Sequence, residues 1–393
     1  MRSALRARWL FDGSRLRPDP VLVLDGARIA SVEYGAVPDG LPVTDLAGAT
    51  LLPGLVDPHV HLCFDAGATP VESLAARSDA EVLTAMAVAG RTALRGGVTT
   101  VRDLGDRGYL ALRLREAPGP LPTILAAGPP ITAHAGHCHF LGGVAEAGPA
   151  GIRAAVREHA ARGVDVIKIM ASGGTLTPGT RQYEAQFTEE DLRAAVDESH
   201  RHGLPVTAHA HATQAIENAV RAGVDGLEHV SFWSADSVDT PLAWLVRRIV
   251  GRQVVVGATL GIRPAPGAVP PPELLRRLPL LVANLKRLHD EGALLAIGTD
   301  AGIGLPKPHD VLRDAIPQLG QVGFDPVEAL RTATEVGARV CGLGDRKGRL
   351  APGYDADVLA VDGDPVADPA ALHRIRAVYA RGNLVSAVPE MNN

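Results

Sequence analysis

The sequence predicts an α/β protein: a (β/α)8 barrel of the TIM type with a small β-sandwich-like domain built from both chain ends. Three observations support this fold class. From Gly54 onward, short apolar runs rich in β-branched residues alternate eight times with longer segments of helical periodicity. The alternation extends over residues 54–345, a length close to the roughly 250 residues typical of one barrel. Residues 1–53 and 346–393 instead contain short strands and turns.

Eight segments are predicted as the barrel strands, because each is short, apolar and bounded by turn residues. They are residues 54–62, 98–105, 123–132, 165–172, 205–212, 226–232, 253–260 and 294–302. Helices are predicted between them. After the fourth strand, Thr188 and Asp191 have the spacing of a capping box, and Gly203 is expected to end the helix. Eight such strand and helix units favour a closed parallel barrel over an open sheet.

The two chain ends are predicted to form one domain. Residues 1–53 have a turn signal at Asp25-Gly26, and residues 346–393 have a similar pattern of short strands. Neither end alone has enough residues for a sound hydrophobic core. We therefore expect residues 1–53 and 346–393 to pair in a composite β domain beside a barrel of residues 54–345.

The composition excludes several kinds of partner. The 393 residues have a net charge of −5 and no block of lysine or arginine, which argues against nucleic acid or an anionic membrane as a partner. No apolar run reaches the roughly 18 residues of a membrane span. Three cysteines are an odd and sparse set for a secreted disulfide domain, so a cytoplasmic location is expected. The expected partner is a small-molecule substrate, and homo-oligomer formation is left open.

Polar residues recur where the predicted strands end, which is where TIM barrels build their active sites. His59 and His61 end the first strand, and their i, i+2 spacing puts both imidazoles on one face. A lone histidine on an apolar strand is usually a core residue. Here four further strands, the fourth, fifth, sixth and eighth, end in the same kind of side chain: Lys168, His209 and His211, His229, and Asp300. The series predicts a metal centre.

The motifs PGLVDPHVHL, VIKIMASGG, VTAHAHAT, GLEHVSF and IGTDAG, in this order, resemble those of the amidohydrolase superfamily. Within it the chain is similar to the imidazolonepropionase-like and prolidase-like branch. The resemblance implies two divalent metal ions, with zinc the expected metal, bridged by a carboxylated Lys168. The implied ligands are His59, His61 and Asp300 for the more buried ion, and His209 and His229 for the second.

Physical chemistry independently favours lysine at position 168. A buried lysine can lose its proton and react with carbon dioxide, whereas arginine cannot. The chain has only four lysines among its 39 basic residues, so one placed between Ile167 and Ile169 requires a function. The alternative is that Lys168 forms an ion pair with Asp300 or Asp103 in a mononuclear or metal-free site.

The predicted reaction is hydrolysis of a small amide by metal-activated hydroxide, with Asp300 as the proton shuttle. An N-acyl amino acid, a Xaa-Pro-type dipeptide and a lactam are the candidate substrates. His137 follows the third strand, and its Gly136-His137 pair resembles the family's Gly-His, which implies contact with the substrate or its developing oxyanion. His137 is therefore both a candidate catalytic residue and a candidate substrate contact, flanked by His134 and His139.

Three further residues are candidate substrate contacts. Arg181 and Tyr183 follow the fourth strand, where a guanidinium fork could bind a substrate carboxylate, although a solvated loop arginine is an equal alternative. His211 stands where dipeptidases of this branch carry a tyrosine that can grip the peptide carboxylate. Prolidase activity is therefore not transferred, and His211 suggests a neutral or differently shaped leaving group, or a second polar contact to it.

Two other functions remain open at this point. One is a mononuclear metal enzyme that opens or deaminates a heterocycle, in which Lys168 is only structural. The other is a barrel retained as a binding or scaffold protein without catalysis. Arg102 and Asp103, at the end of the second strand, are expected to pair with each other or to brace the floor of the barrel.

Overall fold

The computed structural model describes residues 2–387 and has mixed α/β content. The strands are β1 (Arg2–Phe11), β2 (Leu16–Pro18), β3 (Pro20–Asp25), β4 (Arg28–Tyr34), β5 (Val43–Pro53), β6 (Leu55–Val60), β7 (Val98–Asp103), β8 (Thr123–Ala126), β9 (Ile167–Met170), β10 (Val206–Ala212), β11 (Gly226–Trp233), β12 (Val255–Thr259), β13 (Leu295–Gly298), β14 (Val358–Asp362), β15 (Ile375–Ala380) and β16 (Asn383–Ala387).

The α-helices alternate with the strands from β6 to β13 and follow them. They are α1 (Pro70–Ala75), α2 (Asp79–Arg95), α3 (Leu110–Arg115), α4 (Pro149–Arg162), α5 (Glu189–Arg201), α6 (Thr213–Ala222), α7 (Ala243–Gly251), α8 (Pro272–Asp290), α9 (Leu312–Val322), α10 (Pro326–Arg331) and α11 (Gly337–Val340). Within residues 2–387, no helix has the length and hydropathy that a bilayer crossing needs.

The two chain ends share one hydrogen-bonded sheet. Its eight strands run in the order β16-β15-β14-β5-β1-β3-β4, with β2 paired to β1. The N-terminal and C-terminal segments meet where β5 and β14 pair antiparallel, with Leu51 opposite Ala360. The sheet supports the expected composite domain, of which Met1 and residues 388–393 lie outside the described residues. The domain boundaries and the sandwich-like shape stay predictions.

The eight predicted parallel strands are all present; seven are shorter than their predicted segments, and β11 is one residue longer. Strands β6, β7 and β8 form one parallel sheet, and β9 to β13 form a second. The differences lie at the strand ends, because the predicted segments ran on into the loops that follow. These loops carry the polar residues that the sequence places at the carboxyl ends of the strands.

Backbone hydrogen bonds join the two parallel sheets at both edges. Between the first and last strands, the Asp300 N–H donates to His59 O at 2.8 Å and the His61 N–H donates to Ala301 O at 2.9 Å. At the other junction, the Ile131 N–H donates to the carbonyl oxygen of Lys168 at 2.8 Å. These bonds bring the carboxyl ends of β6, β9 and β13 to one side of the molecule.

The predicted helix after the fourth strand is confirmed as α5. Thr188 is its N-cap: the Thr188 hydroxyl accepts a hydrogen bond from the Asp191 N–H, and the Asp191 carboxylate accepts one from the Thr188 N–H. This reciprocal pair satisfies two backbone donors that the first helical turn leaves without a partner. Gly203 follows the helix with a φ of +69°, a left-handed conformation that glycine adopts without strain.

Lys347 is a buried lysine at the junction of the chain-end sheet with the parallel strands. It is 2% exposed, and its Nζ lies 2.5 Å from Asp357 Oδ2 and 2.9 Å from Asp355 Oδ2. The Asp357 backbone carbonyl in turn accepts a hydrogen bond from the Gly54 N–H at 2.9 Å. One ammonium therefore compensates two buried carboxylates next to the first residue of the predicted barrel.

We expect Lys347→Ala to lower the free energy of unfolding by about 3–5 kcal/mol, because it leaves buried carboxylates without their counterion. Lys286→Ala is the matched control, since Lys286 pairs with Asp290 on an exposed helix face and its loss is expected to cost under about 1 kcal/mol. Urea-induced unfolding, followed by circular dichroism, measures both. Equal effects of the two substitutions would contradict the structural role of Lys347.

Candidate metal centre

A cavity lies at the carboxyl ends of the parallel strands. The six residues predicted as metal ligands all line it, together with the predicted substrate contacts His137 and His211. Its full lining is His59, His61, Phe64, His137, Cys138, Lys168, Met170, Thr175, Leu176, His209, His211, His229, Asp300 and Ile303. The sequence thus predicts most of the cavity's polar surface.

His59, His61 and Asp300 form the first cluster. Asp300 Oδ1 lies 3.2 Å from His61 Nε2 and 3.5 Å from His59 Nε2, so one carboxylate oxygen faces both imidazoles. Buried Asp57 fixes this arrangement, because its Oδ1 accepts hydrogen bonds from the His59 N–H at 3.2 Å and the Thr299 N–H at 3.1 Å. The strand that carries the two histidines is therefore tied to the loop that carries Asp300.

His209, His211 and His229 form the second cluster. Their ring centroids lie 4.4 to 4.7 Å apart, and the rings of His211 and His229 are stacked. One ring nitrogen from each of these three residues lies within 4.8 Å of the other two. One ligand atom each from His59, His229 and Asp300 meets the same limit. His229 belongs to both groups, so the structure provides two adjacent places that could hold a metal ion.

Each of these five imidazoles is held through one ring nitrogen by a partner outside the cavity. The other nitrogen is then available as a ligand in four of them, whereas His211 Nε2 also lies 3.5 Å from Gln182 Nε2. The pairs are His59 Nδ1 with Glu228 Oε2 (2.9 Å), His61 Nδ1 with Gly105 O (3.0 Å), His209 Nε2 with Gly173 O (3.1 Å), His211 Nδ1 with Ser231 Oγ (2.8 Å) and His229 Nδ1 with Thr259 Oγ1 (2.9 Å). The histidines are thus oriented before any metal binds.

Lys168 is 1% exposed, and within residues 2–387 its Nζ has no hydrogen-bond partner and no ion pair. Burial lowers the pKa of Lys168 to about 8, which increases the fraction of neutral amine near neutral pH. The alternative ion pair with Asp300 or Asp103 is not formed. Asp103 instead accepts hydrogen bonds from two backbone N–H groups, those of Leu62 at 2.8 Å and Gly105 at 3.0 Å.

Glu228 is a site residue that the sequence reasoning missed. It is 2% exposed, and its Oε2 accepts a hydrogen bond from His59 Nδ1, while Oε1 accepts one from Arg102 Nη2 at 3.2 Å and one from Thr207 Oγ1 at 2.7 Å. The expectation that Arg102 pairs with Asp103 was therefore wrong. Arg102 pairs with Glu228 because this buried carboxylate, unlike Asp103, has no backbone donors.

The backbone of β11 explains how Glu228 and His229 both face inward. Glu228 is in register with His209 on the neighbouring strand, so the two side chains share a face, and strand alternation would turn the next residue away. His229, however, has a φ of +74°. Asp300 has a φ of +60°, so two proposed ligands are in a left-handed conformation that costs non-glycine residues about 1–3 kcal/mol each and is typical of functional sites.

The charge state of the site suits a divalent cation. Burial opposes ionisation of Asp300 and Glu228, but the neighbouring histidines hold the pKa of both carboxyls well below the ordinary range. Burial lowers the pKa of His59 to about 4, so this imidazole is neutral near pH 7. Burial acts on His61 in the same direction, but the Asp300 carboxylate outweighs it and raises the pKa of His61, so a metal ion would displace a proton there. Ionised carboxylates and neutral imidazoles are the forms that bind metal ions. Together with the unpartnered Nε2 of His59 and Nζ of Lys168, they fit a metal centre.

His137 faces the cavity, as predicted. Its backbone N–H donates to Gln186 Oε1 at 2.6 Å, and Gln186 Nε2 donates to Met170 O at 2.7 Å, so a second residue that the sequence reasoning missed holds this loop. Gly174 is needed here, because a Cβ at that position would lie 2.3 Å from His137 Nε2. Within residues 2–387 the buried Nδ1 of His137 has no hydrogen-bond partner. Its catalytic role stays a prediction.

The other predicted loop contacts lie away from the cavity lining. The Arg181 side chain is 62% exposed, forms an ion pair with Glu184 at 3.3 Å and lies over the ring of Tyr183. Neither Arg181 nor Tyr183 lines the cavity. Recognition of a substrate carboxylate by these two residues stays a prediction that the geometry does not favour. His134 and His139 are exposed.

The model of the amidohydrolase family matches residues 50–385 of this chain. This chain belongs to the amidohydrolase family. It is 29% identical over 359 residues to ochratoxinase from Aspergillus niger, covering 84% of this chain and 73% of that protein. It is also 29% identical over 387 residues to imidazolonepropionase from Deinococcus deserti, covering 88% of this chain and 86% of that protein.

Solved structures extend the likeness over nearly the whole amidohydrolase chain. A prolidase in complex with N-methylphosphonate-L-proline matches with a TM-score of 0.85 and 27% identity, covering 99% of this chain and 100% of that one. A Xaa-Pro dipeptidase with bound methionine matches with a TM-score of 0.84 and 25% identity, covering 98% and 99%. The predicted resemblance is confirmed, and the protein is a hydrolase acting on C–N bonds. Members of its superfamily are metal-dependent.

We expect Glu228→Gln to weaken metal binding by about 10- to 100-fold, the usual range for partners that orient a ligand. Arg102 and Thr207 both donate to Glu228, so the glutamine oxygen is expected to face them and its NH₂ group to face His59. This amide would favour the wrong tautomer of His59. Competition with a chelator measures the affinity.

Glu217→Gln is the control for this substitution, because Glu217 pairs with Arg221 along one helix face, away from the cavity. Its metal affinity is expected to equal that of the unmodified protein. Unchanged affinity in Glu228→Gln would show that Glu228 does not orient His59.

Proposed function

We propose that this amidohydrolase is a binuclear enzyme that hydrolyses a small amide: an N-acyl amino acid, a Xaa-Pro-type dipeptide or a lactam. The observation that carries the proposal is Lys168, a buried amine without a partner in a cavity lined by six histidines and Asp300. An isolated buried ammonium is costly, whereas a carboxylated lysine would be a bridging ligand. The amide-hydrolysing relatives support the same reaction class.

The proposed scaffold is a closed (β/α)8 barrel of residues 54–345, with residues 1–53 and 346–393 as the composite β domain. The backbone hydrogen bonds at both junctions of the parallel sheets support closure. Isolated parallel bridges, Val60 with Ala301 and Ile131 with Ile169, lie at the same two junctions. In such a barrel the carboxyl ends of the strands form the active site.

In the proposed site, His59, His61 and Asp300 would hold one divalent ion, and His209 and His229 would hold the second. Carboxylated Lys168 would bridge the two, and zinc is the expected metal. Such a pair of ions, when bound, would lower the pKa of a water molecule and polarise the substrate carbonyl. The fit rests on the unpartnered Lys168 Nζ and His59 Nε2 and on the mixed nitrogen and carboxylate donor set.

The protein residues would complete the hydrolysis. The water oxygen attacks the amide carbon, the C–N bond breaks, and the proton leaves the water for Asp300 and then passes to the leaving nitrogen. Asp300 suits this task because it is ionised and faces the cavity. His137, with an unpartnered Nδ1 at the same cavity, would donate a hydrogen bond to the carbonyl oxygen as negative charge develops there.

A mononuclear enzyme that opens or deaminates a heterocycle is the second candidate. The group of His59, His229 and Asp300 supports it, because these three ligand atoms alone could hold one ion. The likeness to imidazolonepropionase points in the same direction. In that enzyme Lys168 would have only a structural role, so the number of bound metal ions distinguishes the two proposals.

We expect about two metal equivalents per chain when the protein is purified without chelator from medium with zinc and bicarbonate, as measured by elemental mass spectrometry. Lys168→Ala is expected to lose metal as well as activity, because it removes the bridging ligand. Lys286→Ala, which changes an exposed lysine, is the control. One equivalent, or full metal content and activity in Lys168→Ala, would contradict the bridged binuclear site.

We expect Asp300→Asn to lower kcat by about 10²- to 10⁴-fold, the usual contribution of a general base, while binding of a substrate analogue changes little. Steady-state kinetics and calorimetric titration measure the two effects. Metal content is measured in the same preparation, because Asp300 is also a proposed ligand. Ordinary turnover by Asp300→Asn would assign the proton transfer to another residue.

A further inference from the structure

The cavity lacks a cation that could bind a carboxylate elsewhere on the substrate. Among the residues of the described chain that line it, Lys168 is the only lysine or arginine. The proposed function assigns Lys168 to the metal bridge, where its carboxylated form is negative. The proposed function assigns the imidazoles of four histidines to the metal ions and that of His137 to the reacting carbonyl. His211 is held through Nδ1 by Ser231. The remaining charged side chain, Asp300, would repel a carboxylate.

The nearest buried cations already have partners. Lys307 lies behind the Asp300 loop and donates to three backbone carbonyls, those of Thr299 at 2.8 Å, Leu260 at 3.1 Å and Thr259 at 3.4 Å. An ammonium has three protons, so these carbonyls account for all of them. Arg102 donates to Pro58 O at 2.7 Å as well as to Glu228, on the far side of His59.

The arginines of the surrounding loops are paired as well. Arg263, on the loop after β12, lies 2.9 Å from Asp310 Oδ1 and 2.6 Å from Asp314 Oδ2. Arg181, on the loop after β9, is exposed and pairs with Glu184. Recruiting either one would break an existing ion pair and move the side chain toward a cavity whose lining does not include it.

The remaining wall of the cavity is uncharged, and Thr175 supplies its one hydroxyl group among the lining residues of the described chain. Phe64, Met170, Leu176 and Ile303 supply carbon surface, and burial raises the pKa of the Cys138 thiol to about 12, so Cys138 is an uncharged part of the same wall. In a productive complex the scissile carbonyl and the attacking water take the positions next to the ligands. A second carboxylate would therefore be buried against carbon without a counterion, which is costly.

We propose that the substrate is a neutral amide or lactam that carries an apolar group, and that N-acyl amino acids and dipeptides with a free carboxylate are poor substrates. The inference rests on the proposed amide hydrolysis and narrows its substrate class. It separates this chain from the prolidase of known structure, whose bound molecule is an L-proline derivative.

The test compares matched substrates that differ only by a carboxylate, using the metal-loaded full-length protein. One pair is N-acetyl-2-phenylethylamine and N-acetyl-L-phenylalanine; the other is 2-pyrrolidinone and 5-oxo-L-proline. We expect kcat/KM to favour the neutral member by about 10-fold or more, because the acid buries an unpaired charge. Equal or faster hydrolysis of the acids would overturn the inference while supporting the proposed hydrolysis. No hydrolysis of any of these four compounds or of a Xaa-Pro dipeptide would contradict both.

A substitution in the cavity wall provides a second test. Leu176 is half-buried at the wall, so Leu176→Arg adds the missing guanidinium, and it is expected to shift the ratio of kcat/KM toward the acids by about 10-fold. Leu176→Gln, which is polar but uncharged, is the matched control and is expected to leave the ratio near its original value. An unchanged ratio in Leu176→Arg with full metal content would overturn the inference.

Discussion

The hydrogen bonds between the ends of β6 and β13 are the constraint on which the proposed site depends. The His59 carbonyl accepts the N–H groups of both Thr299 and Asp300, and Asp57 binds the same two segments through its carboxylate. These bonds join residues that are about 240 positions apart in the chain. They place two imidazoles and one carboxylate together before a metal or substrate binds.

Burial gives the site its chemical character. Removing polar groups from water is costly, so each one must have a partner or a function. Most are satisfied: Glu228 binds Arg102, Thr207 and His59. Backbone carbonyls or hydroxyl groups bind one ring nitrogen each of His61, His209, His211 and His229. The unsatisfied atoms are therefore informative. Lys168 Nζ and His59 Nε2 lie in the one cavity where metal ions would bind them.

The pairing of the nearby cations also affects which substrates the cavity can bind. Three cations of the described chain near the cavity already have partners: Lys307 binds backbone carbonyls, and Arg102 and Arg263 bind carboxylates. A shared family fold thus leaves room for different substrates, because the residues that recognise the rest of the substrate lie on separate loops.

The sequence alone determined the eight parallel strands, the capped helix α5 and the residues proposed as metal ligands, all of which line the cavity. These features depend on local patterns, such as alternation, capping spacing and polar residues at strand ends. Tertiary structure decided the rest. The inward position of Glu228 depends on the register of β11, and the orientation of His229 depends on its left-handed backbone. Arg181 lies outside the cavity lining and pairs with Glu184. Local patterns cannot determine these, because each depends on tertiary packing or on a backbone angle that the pattern does not specify.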